Sequence, residues 1–350
     1  MPVNILDRKK VYSLIILLFG LIAADTAQPA ENKETTDPFR QNSFLARGIN
    51  LGNALEAPKG EDWGVTPKEQ YFQLIKDAGF NSVRIPVRWS AYALMDEPFS
   101  IEQTFFETVD RAIESALSKG LYVVLNIHHY QQLYDDPTGH KQRYLAIWEQ
   151  IAEHYKDYPR SLLFEFLNEP CKNLKADLWN PLINETLTVV RKSNPNRTVV
   201  IGPANWNSVD SLDELQLPEN DRNIIVTFHY YSPFKFTHQG AVWAVEEAKQ
   251  WTGTKWTGSN DEKKAVIEHF DKAFQWSKTN DRPIYVGEFG AYNKADMTSR
   301  ALWTEFVARQ AEKRGFSWAY WEFGAGFGVY DRSRNDWNYP LLNALIPPKE

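Results

Sequence analysis

The chain has almost no cysteine, since Cys171 is the only one among 350 residues. No intrachain disulfide can form, so a hydrophobic core must supply the stability. Blocks of basic residues are also absent, and the formal net charge is −6. A protein that binds nucleic acid or an anionic membrane surface needs a basic patch, so neither partner is expected here.

Long hydrophobic runs are missing too, except for one short run near the N-terminus. Residues 11–24 are largely apolar and follow a basic stretch, and they are too few to cross a bilayer comfortably. Residues 1–27 therefore match a secretory signal peptide with cleavage after Ala24 or Ala27. We expect a flexible leader over residues 28–43, no membrane contact after cleavage, and a secreted or periplasmic protein. An uncleaved anchor is the alternative.

Apolar and aromatic residues are abundant. Hydrophobic residues make up 43% of the sequence, which is enough for the core of one large domain. The 13 tryptophans suit a protein that stacks on the apolar faces of sugar rings. Since no linker or composition shift interrupts residues 44–350, we expect one domain there, and we expect it to be a monomer.

Strand-like and helix-like segments alternate eight times along this domain. The predicted strands are 47–51, 82–87, 122–127, 161–170, 198–201, 224–228, 284–290 and 317–320. The predicted helices are 67–78 (with Thr66 as N-cap), 103–119, 143–155, 176–192, 262–278 and 299–314, with shorter helical pieces near 210–215 and 341. This pattern predicts an α/β fold, a single (β/α)8 TIM barrel. A doubly wound sheet is disfavoured because no glycine-rich phosphate turn follows a strand.

Two of these strands end in a glutamate. The run Ser161–Pro170 begins as a buried strand and ends in Asn168, Glu169 and a proline that stops the ladder. The strand 284–290 carries Glu288. Strand ends form the active site of a TIM barrel, and two facing carboxylates are what glycosidic hydrolysis requires. The alternative for Glu169 is a partly exposed end residue paired with an arginine.

Other strand-end residues support such a site. We expect Arg84 to keep one glutamate ionised, Tyr231 to hydrogen-bond the same carboxylate, and Trp321 to form an apolar floor for the sugar. Asn168 is placed to donate a hydrogen bond to a sugar 2-hydroxyl. Arg84 pairing only with Glu165 remains an alternative, and we take Glu165 itself as structural.

Alternatives also remain for the histidines, Trp206 and Glu322. His128 and His129 are potential metal ligands, but adjacent strand residues point to opposite faces and no third ligand has a typical spacing. We therefore expect neither a metal nor a cofactor. Trp206 belongs either to the site or to the core, and Glu322 either to the site or to a solvated rim.

The motifs and their order resemble glycoside hydrolase family 5 over residues 44–346. They are NSVRIPV at 81–87, HH at 128–129, NEP at 168–170, HYY at 229–231, GEFG at 287–290 and WE at 321–322. Bacterial cellulases of this family that also act on mannan are the most similar members, through LGNALEAP at 51–58, FKFTHQG at 234–240 and WAYWE at 318–322.

The resemblance implies a retaining enzyme in which Glu169 is the general acid/base and Glu288 the nucleophile. The residues it places around the cleaved sugar are Arg84, His128, Asn168, His229, Tyr231 and Trp321. Those it places against sugar on the non-reducing side are Asn53, Glu56, His129 and Glu322. It implies a secreted endo-β-1,4-glucanase acting on cellulose-like or mixed-linkage glucans. A β-1,4-mannanase or dual enzyme is the nearest alternative, and a non-catalytic carbohydrate-binding barrel is a remote one.

Overall fold

Eight parallel strands close into a barrel in chain order in the computed structural model, which describes residues 37–348. The strands are β1 (Arg47–Asn50), β2 (Ser82–Ile85), β3 (Tyr122–Asn126), β4 (Leu162–Glu165), β5 (Val199–Ile201), β6 (Ile224–Tyr230), β7 (Ile284–Phe289) and β8 (Ser317–Tyr320). The predicted TIM barrel is therefore confirmed. The predicted signal peptide and its cleavage sites lie outside the described residues.

Most of the helices connect successive strands on the outside of the barrel, while one precedes the first strand and one follows the last. They are α1 (Pro38–Leu45), α2 (Glu69–Asp77), α3 (Gln103–Ser118), α4 (Gln131–Asp135), α5 (Pro137–His154), α6 (Ala176–Ser193), α7 (Ala204–Asn207), α8 (Phe234–Thr237), α9 (Asn260–Asn280), α10 (Met297–Lys313) and α11 (Tyr339–Leu345). A two-stranded ribbon pairs β9 (Tyr330–Asp331) with β10 (Asp336–Trp337). Within residues 37–348, no helix is both long and apolar enough to cross a membrane.

Two predicted helix starts are wrong. Helix α2 begins after Lys68, which gives it no side-chain cap, so Thr66 is not the N-cap. Helix α5 begins at Pro137, six residues before the predicted start, because the Asp136 carboxylate accepts a hydrogen bond from the Gly139 N–H.

Helix α1 (Pro38–Leu45) replaces the C-terminal part of the predicted flexible leader, whose residues 28–36 lie outside the described part of the chain. Asp37 caps this helix by accepting a hydrogen bond from the Phe39 N–H. Asn42 donates a 3.0 Å hydrogen bond to the Ile284 carbonyl and accepts one from Ser317, at the starts of β7 and β8. The helix therefore closes the N-terminal end of the barrel. Its buried residues include polar ones, so hydrophobic periodicity did not reveal it.

The barrel interior changes from apolar to polar along its axis. Its lower layer is a buried cluster of Leu45, Val124, Leu163, Val200, Ile225, Tyr285 and Ala319. Nearer the C-terminal strand ends, the fully buried polar side chains include Asn50, Arg84, Asn126 and Glu165. Buried charges are stable only when they are paired, so this polar layer must be an organised network.

Candidate active site

Glu169 and Glu288 converge on one imidazole at the C-terminal end of the barrel. Nδ1 of His229, on β6, lies 2.7 Å from Oε1 of Glu169 and 3.6 Å from Oε2 of Glu288. The three side chains each contribute an atom to a cluster whose members lie within 4.8 Å of one another. The two strand ends identified in the sequence therefore meet at one point.

Glu288 is held by two hydrogen bonds in a buried setting. Arg84 Nη1 donates to its Oε1 over 2.7 Å, and the Tyr231 hydroxyl donates to its Oε2 over 2.9 Å. Burial raises the pKa of Glu288, while the neighbouring His229, Arg84 and Tyr231 act in the opposite direction. These contacts favour the ionised form, which is the form of a nucleophile.

Arg84 is fully buried and binds two carboxylates at once. Its Nε and Nη2 donate to both oxygens of Glu165 at 2.6 and 2.7 Å, while Nη1 reaches Glu288. It also donates to Oδ1 of Asn50 and of Asn168, each at 2.8 Å. The alternative in which Arg84 pairs only with Glu165 is therefore wrong. Glu165 has no exposed surface, as expected for a structural carboxylate.

Glu169 lies in a different environment from Glu288. A quarter of its side chain remains exposed, and its carboxyl group contacts the imidazole of His229. Burial raises the pKa of Glu169 to about 7. The negative charge of Glu165 also raises it, and the positive charge of Arg84 lowers it only in part. A carboxyl group with this pKa holds a proton near neutral pH, which a general acid requires. Its backbone φ of 47° is left-handed, a strain that is common at functional sites.

The two adjacent histidines lie side by side, with their rings nearly perpendicular at a centroid distance of 4.3 Å. The His128 ring is parallel to Trp321 at 5.8 Å, and its Nδ1 lies 3.1 Å from the Asn126 amide. Burial is the main reason that the pKa of His128 is well below its usual value and that of His129 is about 4. Both are therefore neutral hydrogen-bonding groups at neutral pH.

Glu56 and Glu322 lie beneath the loops after β1 and β8, with their side chains fully buried. Glu56 accepts hydrogen bonds from the backbone N–H groups of Asn53 and Ala54. Glu322 accepts them from Gly324, Ala325 and Phe327. Burial raises the pKa of each carboxyl group to about 7. Neither carboxyl group has surface that a sugar could contact, which differs from the predicted direct contact. The alternative in which Glu322 is a solvated rim charge is also wrong.

Trp321 is partly buried against the loop after β1. A Cβ atom on Gly52 would come within 2.9 Å of the Trp321 ring, so this close approach requires glycine. Asn53, on the same loop, is half-buried with a left-handed φ of 59°. This contact brings the first and last strand ends together around the cleft.

Trp206 is 53% exposed, so the alternative that places it in the core is wrong. Its backbone N–H donates to the Pro170 carbonyl over 3.1 Å, which fixes the Trp206 backbone next to the Glu169 segment. The ring therefore lies on the side of the barrel mouth where β4 and β5 end.

Sequence reasoning missed several residues around this mouth. Trp243 is 63% exposed and lies against His238, whose ring packs at 4.9 Å from that of Tyr231. Trp63 packs edge-on against His129. Asn207 has a buried amide beside His229. The tryptophan-rich loop after β6 was the one available signal, whereas a single asparagine or tryptophan in a loop carries no recognisable pattern.

Comparison with known proteins identifies similar sequences and folds. Residues 37–326 match the family model described as cellulase (glycosyl hydrolase family 5). Endoglucanase H of Acetivibrio thermocellus is 36% identical over 327 residues, covering 91% of this chain and 35% of that protein. Thermotoga maritima Cel5A, solved with cellobiose and with mannotriose, is 55% identical with a TM-score of 0.87, covering 89% of this chain and 100% of Cel5A. The chain thus spans about a third of endoglucanase H.

Proposed function

Because the chain belongs to glycosyl hydrolase family 5, we propose that it is an endo-β-1,4-glucanase that cuts internal bonds of cellulose-like or mixed-linkage glucans. The convergence of Glu169 and Glu288 on His229 is the observation that carries this proposal. One carboxyl group lies where its proton is retained near pH 7, and the other lies against a guanidinium that favours its charge. Two carboxyl groups with different environments can share the roles of acid and nucleophile.

In the first step, Glu169 donates its proton to the departing glycosidic oxygen while an oxygen of Glu288 attacks the anomeric carbon. The bond to the leaving sugar breaks, and a glycosyl ester of Glu288 forms. Arg84 and Tyr231 hold the attacking carboxylate in place. The Asn168 amide oxygen accepts from Arg84, so its N–H groups remain available for a sugar hydroxyl.

In the second step, ionised Glu169 takes a proton from water, and the water attacks the same carbon and releases Glu288. Two displacements retain the β configuration. The spacing supports this outcome, since retaining enzymes hold their carboxyl groups about 5 to 5.5 Å apart, and inverting ones about 6.5 to 9.5 Å apart. Oxygen atoms of Glu169 and Glu288 lie within 4.8 Å of each other.

A mannanase or dual activity is the second candidate. It is favoured by the 55% identity to Cel5A, for which a complex with mannotriose is known. Initial rates and product lengths on carboxymethylcellulose, barley β-glucan, glucomannan and galactomannan test both candidates. Short glucan oligomers released early from the first two substrates support the endoglucanase. Cleavage of galactomannan alone would overturn it in favour of a mannanase, and no cleavage of any substrate would leave the non-catalytic binding barrel.

We propose that hydrolysis needs no divalent metal, although Glu169, His229 and Glu288 have a spacing that suits one. Arg84 already supplies a positive charge to Glu288, so a cation at this position would meet electrostatic repulsion. Activity that is unchanged after dialysis against EDTA supports this proposal. Activity that is lost in EDTA and restored by a metal would overturn it.

We also propose that the enzyme is exported and acts as a monomer outside the cytoplasm. The basic and apolar segments within residues 1–27 support export. Mass spectrometry of the protein from culture medium or periplasm should give an N-terminus at residue 25 or 28. An intact N-terminus in the exported protein would contradict cleavage, and size-exclusion chromatography tests the monomer.

A further inference from the structure

The imidazole between the two glutamates has a second contact on its far side. Nδ1 of His229 faces Glu169 and Glu288, whereas Nε2 lies 3.4 Å from the Asn207 amide nitrogen. Asn207 is fully buried in α7 and follows the exposed Trp206. Its amide therefore meets the ring nitrogen of His229 that does not face the two glutamates.

The protonation of His229 follows from its neighbours. Burial lowers the pKa of His229 to about 4, so the ring is neutral at pH 7 and carries one N–H. The Glu288 carboxylate only accepts hydrogen bonds, the carbonyl oxygen of a protonated Glu169 also accepts them, and both groups face Nδ1. The single proton is therefore best placed on Nδ1. The lone pair of Nε2 is then free to accept a hydrogen bond, and a buried acceptor needs a donor.

The local backbone is built to present Asn207 as that donor. Asn205, Trp206 and Asn207 have φ values of 62°, 57° and 51°, a left-handed turn in which asparagine is well tolerated. A side chain on Gly202 would collide with the Asn207 amide, so the glycine makes room for it. Asn207 Oδ1 has no hydrogen-bond partner within residues 37–348. The side chain thus contacts His229 rather than stabilising its own turn.

We propose that Asn207 is a positioning residue that fixes His229 in the tautomer with its proton on Nδ1, aimed at Glu169. The role of this contact in catalysis rests on the proposed function. When Glu169 gives its proton to the leaving group, it becomes a carboxylate, and the Nδ1–H stabilises that anion for the second step. Asn207 keeps this donor in place because its own N–H occupies Nε2.

Long-range 1H–15N NMR on 15N-histidine-labelled protein at pH 7 tests the tautomer directly. The chain has 7 histidines, and a His229→Gln sample assigns the signal. We expect wild-type His229 to carry its proton on Nδ1. In Asn207→Asp the carboxylate can only accept, so we expect Nε2 to gain a proton. The leucine side chain in Asn207→Leu neither donates nor accepts a hydrogen bond, so this variant should give a mixture of the two tautomers. It replaces Asn207→Asp in the test if the aspartate variant does not fold.

Asn205→Asp is the matched control, because it introduces the same charge on the same turn at an exposed position. We expect it to keep the wild-type histidine signals and to stay within about twofold of wild-type kcat, whereas Asn207→Asp loses at least about tenfold on β-glucan. A wild-type proton on Nε2, an unchanged tautomer in Asn207→Asp, or equal kcat in both variants would overturn the proposal. The tautomer is read without substrate, so its result stands even if the proposed glucanase activity fails.

Discussion

Nη1 of Arg84 lies 2.7 Å from Oε1 of Glu288, and the same guanidinium donates hydrogen bonds to both oxygens of Glu165. One cation thus joins a carboxylate in the barrel interior to the one at its mouth. The planar fork of arginine allows this, since its five N–H groups point in fixed directions. The position of Glu288 therefore depends on a network that begins one layer deeper.

Arg84→Lys should lower kcat by about 100-fold, because an ammonium group cannot make two parallel hydrogen bonds to Glu165 and also donate one to Glu288. Arg191→Lys is the control, since Arg191 makes a similar pair with Asp221 at the surface of the barrel. Steady-state kinetics on β-glucan measure both variants. If Arg84→Lys retains more than about half of wild-type kcat, the guanidinium does not position the nucleophile.

The pH dependence of kcat/KM should be a bell with its basic limb near pH 7. Glu169 must be protonated to act as an acid, and burial raises its pKa to about 7, so activity falls as pH rises through this value. Glu288 must be ionised, and its raised pKa moves the acidic limb above the usual range for glutamate. An aryl cellobioside with a good leaving group hardly needs a proton from Glu169. The rate of its first step should therefore not fall as pH rises through 7. A natural-substrate profile that stays flat to pH 9 would contradict the assignment of Glu169.

Replacing Glu322 should change how stability depends on pH. Its folded pKa is raised to about 7, so its contribution to stability is complete below the pKa of the unfolded chain and disappears as pH rises through about 7. Glutamine does not titrate, so the Tm of Glu322→Gln relative to wild type should increase between pH 5 and pH 8. Glu185→Gln provides the control for thermal unfolding, because Glu185 is only partly buried and pairs with Lys141 on the outside of the barrel. A Tm difference that is constant or decreases over this range would show that Glu322 is not buried as a titrating acid.

Azide should restore different products in the two glutamate variants. Glu169→Gln keeps its nucleophile, so an activated aryl cellobioside should form the glycosyl-enzyme, and azide should then release a β-configured product without needing a base. In Glu288→Gln, azide enters directly and should give an α-configured product. NMR of the glycosyl azides distinguishes the two. An α product from the Glu169 variant would mean that the roles are reversed.

The barrel and the pair of converging glutamates were predictable because buried strands and their ends leave a repeating signal in the sequence. Buried strands such as β4 and β7 read as apolar runs, and their ends carry Glu169 and Glu288 at the mouth. Helix α1 was missed because its interior-facing Asn42 is polar and bonds to strand starts hundreds of residues away. Only the closed barrel brings those partners together.

The environment of each side chain was less predictable than its presence. Glu56 and Glu322 look like cleft carboxylates in the sequence, but backbone N–H groups from their own loops surround them. Asn207 carries no motif, and its contact with His229 depends on a left-handed turn and on the space above Gly202. Such features depend on backbone geometry, which residue types alone do not specify.

Trapping the glycosyl-enzyme tests the central claim most directly. A 2-deoxy-2-fluoro cellobioside with a good leaving group slows the second step more than the first, so the covalent intermediate should accumulate. Peptide mass spectrometry of the inactivated enzyme then locates the sugar. We predict one added fluorocellobiosyl group on the peptide containing Glu288, with none in Glu288→Gln. A label on Glu169, or rapid turnover with no label and an inverted product, would contradict the account.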